Sequence, residues 1–358
     1  MGVILHIDMD AFYASVEAQR RNISDPLVVC VYSGRTEDSG AVSTCSYEAR
    51  ELGIHAAMPI KNAKKIAEDS EKEVNFVGMD KEYYDQFSDD IKDEILEEYT
   101  DTIEKASIDE FYIELDTEDF GKSEEIAKEI QQSVNNDFGL TCSIGVAPNK
   151  LVAKITSDQD KPEGITVVLP GEVKEFMRDL ELGDIHGIGE KTVEKLNDIG
   201  IGSVDELAEA DPAMLVREFG ENQGLKLREK ARGEDDSEVE ETLQKQVTRI
   251  TTLEENSREQ SQIKKVFPEL ASDIVDRLEG KDMDFGSVSL IVIDTDIQMT
   301  TRATTLKSRV RDRKVLIKEG ENLLEEFLEN SDAIVRRIGL RASDLKKRRG
   351  QKSMDAFT

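Results

Sequence analysis

The order of the first periodic segments constrains this chain more than any single motif. Residues 3–9 (VILHIDM) form an apolar run that reads as a buried strand closing on an acid. Residues 10–20 follow a helical period, with Phe12, Val16 and Ala18 placed for one face. Residues 27–32 (LVVCVY) and 41–44 read as strands on either side of a polar, glycine-bearing turn at 33–40. Helices are predicted at 46–53 and 61–72. Residues 67–104 hold 15 acids and three lysines, the pattern of a solvated helix face around 80–99. Residues 102–115 read as two strands meeting near Ile108–Glu110, followed by a helix at 122–136 and a strand at 140–146. With the insertion at about 21–77 set aside, the order is strand, helix, strand, strand, helix, strand. That is the split βαββαβ, ferredoxin-like unit.

The remainder of the 358 residues leaves room for two to four domains in all. Residues 171–232 read as mostly helical. Residues 233–243 hold six acids and no base, the pattern of an exposed linker. Residues 244–342 alternate again: strands at 247–253, 287–294, 299–306 and 334–341, with helices at 259–278 and 313–329. Two helices over a four-stranded sheet is the simplest packing. The end of the chain, 346–358, reads as a flexible tail.

Several chemistries are excluded at this level. No apolar run is long enough to span a membrane, and the N-terminal segment lacks the basic start and small-residue site of a signal peptide. Cys30, Cys45 and Cys142 are odd in number and form no CxxC, which fits a reduced cytosol better than a disulfide framework. His6, His55 and His186 have no metal-type spacing, and no phosphate-binding GxxxxGK[ST] loop is present. The formal charge of −30 taken alone argues against nucleic acid as a partner.

Placement of the acids points the other way. Asp8 ends the first strand, while Asp109 and Glu110 sit at the junction of the two central strands. First and third strands are neighbours in a ferredoxin-like sheet, so the three carboxylates can converge. Converging carboxylates need cations between them, and hard divalent ions take oxygen ligands. Two such ions about 3.5–4 Å apart suit phosphoryl transfer. On pattern alone, three strand-end acids in solvent fit equally well. Asp10 is predicted to point to the opposite face.

Five spaced segments carry a family resemblance: IDMDAFYASVE (7–17), the stretch 33–50 ending AVSTCSYEAR, ASIDEFY (106–112), SIGVAPNKLVAKITS (143–157) and KPEG (161–164). Together they resemble the Y-family translesion DNA polymerases, most strongly the archaeal DNA polymerase IV branch, over essentially the whole chain. The resemblance implies an α+β right-hand polymerase. Its parts would be a ferredoxin-like palm (1–20 and 78–166), small fingers (21–77), a helical helix-hairpin-helix thumb (167–232), a linker (233–243), an α+β little finger (244–342) and a tail (343–358). It implies DNA-templated, low-fidelity synthesis past lesions, without residues for a proofreading exonuclease.

The resemblance also implies roles. Asp8, Asp109 and Glu110, with the Met9 carbonyl, would hold two Mg²⁺ ions. Tyr13 would be the steric gate under the sugar of the incoming deoxynucleotide; without the family it reads as a core aromatic. Tyr47, Arg50 and Lys161 would bind the triphosphate, where Arg offers a planar fork and Lys a point charge. Val31, Ala41, Ser43 and Ala57 would roof the nascent base pair. Ala11 departs from the aromatic common in archaeal relatives.

Residues 185–201 (IHGIGEKTVEKLNDIGI) have the helix-hairpin-helix form. Gly187 and Gly189 would let backbone N–H groups face a phosphate, with Lys191 beside them. Residues 302–318 and 332–352 each carry a net charge of +6. These basic islands make Arg302, Arg309, Arg336, Arg337 and Arg341 candidates for duplex-backbone contact, although a charge run is commonly a solvated face. The tail QKSMDAFT resembles a clamp-binding box, with Gln351, Met354 and Phe357 in its positions and Thr358 replacing the second aromatic. Primer-template DNA, deoxynucleoside triphosphates and a sliding clamp are the implied partners of a cytoplasmic monomer. The other classes to weigh are a different palm-type nucleotidyl transferase, such as a nucleotide cyclase, and a non-catalytic DNA-binding or clamp-associated protein. An acid-coated DNA enzyme fits a high-salt cytosol, where screening acts within about 3 Å at 1 M; a halophilic source is therefore expected.

Overall fold

Strand β1 (Val3–Met9) is buried along its whole length in the computed structural model, which describes residues 2–36, 38–241 and 244–348. Its two faces serve different cores. Leu5, Ile7 and Met9 pack with Phe12 and Val16 of α1 (Phe12–Arg21), while Ile4 joins a second core behind the sheet. The chain divides into two compact units, Met1–Val31 with Ala41–Thr242, and Tyr32–Gly40 with Leu243–Thr358.

The first unit continues through β2 (Leu27–Tyr32), β3 (Gly40–Cys45), α2 (Tyr47–Glu51), α3 (Ile60–Glu68) and β4 (Asn75–Gly78). These strands form a small sheet in the order β3-β2-β4. After α4 (Lys81–Glu94) come β5 (Ile103–Lys105), β6 (Glu110–Leu115), α5 (Phe120–Phe138), β7 (Cys142–Ala147), α6 (Lys150–Ser157) and β8 (Ile165–Val167). The large sheet has the order β5-β6-β1-β7-β8, so the ferredoxin-like order is present with β8 added parallel to β7. The antiparallel register places Asp8 opposite Glu110 and His6 opposite Tyr112.

Helix α6 has no counterpart in the sequence reading, although it carries chemistry. Asn149 caps it by accepting from the Val152 N–H. Gly145 lets it lie flat on β7: a Cβ there would fall 2.1 Å from the Ala153 carbonyl oxygen. Further on, α7 (Val173–Arg178), α8 (Glu190–Asp198), α9 (Val204–Glu209), α10 (Pro212–Phe219) and α11 (Glu221–Ala231) form a helical cluster around Leu196, Leu207, Leu215 and Leu227.

The second unit contains β9 (Gln246–Ser257), α12 (Gln260–Ile263), α13 (Phe267–Gly280), β10 (Met283–Asp294), β11 (Met299–Val310), α14 (Arg313–Asn330), β12 (Val335–Ser343) and β13 (Lys346–Lys347). Its antiparallel sheet runs β11-β10-β12-β9, with β13 on β10, and the apolar faces of α13 and α14 cover one side.

Four expectations need correction. The first helix begins at Phe12, because Ala11 is left-handed (φ 46°) and turns the chain out of β1. The helix expected to 72 ends at Glu68. The segment 234–241 is not a free linker: Asp235 accepts from the Leu151 N–H, Glu104 accepts from the Glu240 N–H and Val239 is buried. The tail does not start at 343, since β12 reaches Ser343 and β13 pairs with Met283 and Asp284. Gln351, Met354 and Phe357 lie outside the described residues.

Candidate active site

Two side chains on facing strands build the centre. Asp8 and Glu110 are cross-strand partners, and on β1 His6 shares their face two residues earlier. One oxygen from each carboxylate and a ring nitrogen of His6 lie within 4.8 Å of one another. Lys154 enters from α6, 2.9 Å from Asp8 Oδ2 and 3.0 Å from Glu110 Oε1. Lys161 approaches the same Asp8 oxygen at 2.8 Å and Asp158 at 2.7 Å. Burial alone would lower both lysines, but the facing carboxylates outweigh it and leave their pKa values raised. His6 and then Lys154 draw Glu110 down to about 2, against the opposing effect of burial.

Asp109 stands apart from that cluster. Its carboxylate accepts from Ser107 Oγ at 2.5 Å, and its pKa is raised by burial and by the charges of Asp8 and Glu110. The trio is therefore adjacent but not convergent on one point. Asp8 and Asp109 line a cleft of about 240 Å³ with Met9, Tyr13, Ser43, Tyr47, Arg50 and Lys161. Glu110 opens instead on a larger cavity of about 1160 Å³, shared with Lys150, Lys154, His186, Lys226 and Lys230.

The cleft wall is ordered by aromatic contacts. Tyr13 stacks on Tyr84 with centroids 4.6 Å apart and 20° between planes, and burial pushes its phenol to about 12. The Arg50 guanidinium lies 4.7 Å over the Tyr47 ring. Of the four small residues expected above a base pair, Ser43 alone lines this cleft; its hydroxyl meets Met79 Sδ. Val31 is exposed on β2, Ala41 bridges to Pro59, and Ala57 holds a left-handed turn (φ 66°).

Sequence reasoning missed three residues. Asp10 is not turned away from the site: buried below β1, it accepts from Ser143 Oγ and the Glu163 N–H, and Tyr47 Oη lies at 3.5 Å. Lys154 was hidden inside an unassigned helix. His6 was dismissed on spacing, which cannot register a partner more than 100 residues away.

The hairpin before α8 has Gly187 at φ 86° and Gly189 as N-cap, with Lys191 exposed in the first turn. Lys230 Nζ donates to the His186 carbonyl. In the second unit, the register puts Arg337 opposite Ile293 and Arg341 opposite Ser289. Both arginines lie on the face away from the helices. Arg302 pairs directly with Leu290, whose side chain is in the helix-covered core, so Arg302 projects on that same side. Arg309 is held by Asp344 at 2.7 Å, and Arg336 is exposed at the β12 bulge.

The donor set fits hard cations. Asp8, Asp109 and Glu110 offer oxygen ligands, and an ammonium already bridges two of them where positive charge is required.

Comparison with known proteins decides the family. Residues 7–158 match the impB/mucB/samB family, 170–201 its HHH motif and 244–356 its C-terminal domain. DNA polymerase IV 1 of Methanosarcina mazei is 38% identical over 98% of both chains. DNA polymerase IV of Nitrosopumilus maritimus is 35% identical over 99% of both. A solved Y-family DNA polymerase chimera built on Dbh is 33% identical and covers 97% of this chain and 100% of its own, with TM-score 0.87. The chain belongs to the Y-family DNA polymerases. An insertion ternary complex of Dbh DNA polymerase is similar at 33% identity, the same coverage and TM-score 0.70. The α+β right-hand polymerase fold expected from the sequence therefore holds for this Y-family chain. Among the described residues no helix is long and apolar enough to cross a membrane.

Proposed function

We propose that this Y-family polymerase extends a primer on template DNA, lesions included, with Asp8, Asp109 and Glu110 as its metal ligands. The carrying observation is the pairing of Asp8 with Glu110 beside a cleft that Tyr13, Arg50 and Lys161 also line. Two Mg²⁺ ions, with Met9 supplying a main-chain oxygen, would activate the primer hydroxyl and stabilise charge on the triphosphate.

The chain's own groups supply the rest. Arg50 forks onto phosphate oxygens, and its ring contact with Tyr47 limits its rotamers. Lys161 exchanges Asp8 for a phosphate. Tyr13, fixed on Tyr84, blocks the space of a ribose 2′-hydroxyl. Val31, Ala41, Ser43 and Ala57 leave room over the base pair.

In this reading residues 1–20 with 78–166 act as palm, 21–77 as fingers, 167–232 as thumb and 244–342 as little finger. Gly187, Gly189, Lys191 and the arginines of the last domain other than Arg302 hold the duplex backbone. The tail residues Gln351, Met354 and Phe357 engage a sliding clamp, and the protein works as a cytoplasmic monomer in a high-salt cell.

Primer extension over undamaged and lesion templates tests the reading. Asp8→Ala and Glu110→Ala should each lower extension by at least about 10³-fold, the scale of several kcal/mol of transition-state charge stabilisation. DNA affinity should persist. Extension at near wild-type rate by either variant would remove the metal assignment.

A further inference from the structure

His6 is fully buried in the sheet, packed 4.6 Å from the Tyr112 ring. A ring buried this way, out of contact with solvent, favours the uncharged imidazole. A buried imidazole costs more to desolvate than a Phe or Leu of similar volume, and each of its nitrogens calls for a partner. Nδ1 has one, Ser157 Oγ at 2.8 Å. Nε2 has no hydrogen-bond partner among the described residues and points toward Glu110 Oε2 at 3.7 Å.

The single hydroxyl proton of Ser157 sets the tautomer. Ser157 Oγ lies 2.8 Å from both His6 Nδ1 and the Lys154 carbonyl. If the proton goes to the carbonyl, Nδ1 keeps its own proton and the Nε2 lone pair faces a carboxylate, which is repulsive. If it goes to Nδ1, the ring proton sits on Nε2 and faces Glu110. The carboxylate therefore selects the second arrangement. Glu110 then meets a donor at each oxygen: Oε1 accepts from Lys154 at 3.0 Å, and Oε2 faces, at 3.7 Å, the N–H of a ring fixed by Ser157. Lys154 and Ser157 both belong to α6, so one helix sets both supports.

We propose that His6 is a positioning residue that orients Glu110 for metal binding, acting as an Nε2–H donor locked by Ser157. The inference rests on the reading of Glu110 as a metal ligand.

The test uses full-length protein without DNA, with Mn²⁺ binding followed by the electron paramagnetic resonance of the free ion. His6→Phe fills the ring space and removes the donor. His6→Asn keeps a group near Nδ1 but cannot reach Glu110. His6→Gln places an amide N–H near the Nε2 position. Loss of an outer partner commonly lowers metal affinity by roughly 10–100-fold. His6→Phe and His6→Asn should show that loss, and His6→Gln should recover most of it. In extension assays kcat should fall with little change in KM for the nucleotide. Wild-type Mn²⁺ affinity in His6→Phe and His6→Asn, alongside a loss in Glu110→Ala, would reduce His6 to core filler. Unchanged affinity in Glu110→Ala would overturn the ligand reading itself, and this inference with it.

Discussion

Lys154 Nζ lies 2.9 Å from Asp8 Oδ2 and 3.0 Å from Glu110 Oε1, so a resident ammonium bridges the carboxylates that the β1–β6 register pairs. It does with one charge what a divalent ion does with two. Lys154→Met keeps much of the stem and removes the charge, leaving two acids in repulsion. In EDTA the variant should lose about 3 kcal/mol in urea unfolding, the lower end for breaking a buried pair. Added Mg²⁺ should then stabilise the variant more than the wild type. Equal stability in EDTA would show that the bridge carries no net energy.

Tyr13 cannot swing away from the cleft without losing its stack on Tyr84. Tyr13→Ala should raise ribonucleotide incorporation relative to deoxynucleotide by at least about tenfold, the scale of a single steric contact in a pocket. Tyr13→Phe keeps the ring and should keep the discrimination. Competition assays with matched nucleotide pairs decide it, and unchanged discrimination in Tyr13→Ala would remove the gate.

The arginines of the last domain are not equivalent. Arg337 and Arg341 share the open face of the sheet, whereas Arg302 projects from the edge strand on the helix side. Each phosphate contact on duplex DNA adds about 0.9 to the slope of log affinity against log salt. Arg337→Ala and Arg341→Ala should each lower that slope by roughly this amount. Arg302→Ala should leave it nearly intact. A titration series in KCl separates the two faces, and an Arg302 effect equal to that of Arg337 would place DNA elsewhere.

Much of this arrangement was legible because it is local or periodic. The run from Val3 to Met9, the glycine pattern at 187–189 and the acids at 8, 109 and 110 announce themselves over short spans. What the sequence did not reveal is long-range. Lys154 and Ser157 reach β1 across about 150 residues, and Asp10 turns inward because left-handed Ala11 bends the chain there. The 233–243 stretch looked free because its composition is acidic. Yet Asp235 serves as a cap on α6, where an acid suits the helix N-terminus. Arg302 shows the same limit: charge counting cannot tell which face a strand residue occupies.

Acid should weaken the site in a defined window. His6 and Lys154 depress Glu110 from 4.5 to about 2 in the folded state. A depressed carboxylate contributes stability that is present above its unfolded value and lost as pH falls through the folded one. In EDTA, the stability gap between wild type and Glu110→Gln should be constant above pH 4.5 and shrink between 4.5 and about 2. Asp109 has the opposite sign. Burial raises it above 3.8, so its ionisation costs stability as pH rises, and Asp109→Asn should remove that cost. Urea midpoints across pH read both, and a gap that widens toward acid would contradict the Glu110 account.

Salt should act on fold and DNA binding in opposite directions. The chain carries −30, and α4 places Asp85 four residues from Asp89, Asp89 from Asp93 and Asp90 from Glu94. Each like-charged pair of this spacing costs a few tenths of a kcal/mol at low ionic strength. Ion pairs such as Lys105 with Asp89 and Lys92 with Glu97 offset only part of that. Screening shortens from about 10 Å at 0.1 M to about 3 Å at 1 M, so KCl relieves repulsion between remote acids more than it weakens close pairs. The urea midpoint should therefore rise from about 0.1 M to 1 M KCl, while DNA affinity falls through counterion release. Extension activity, which needs both, should peak between the two limits and at higher salt than the DNA-binding optimum. A urea midpoint that falls over the same range would break the link between this acid surface and a high-salt interior.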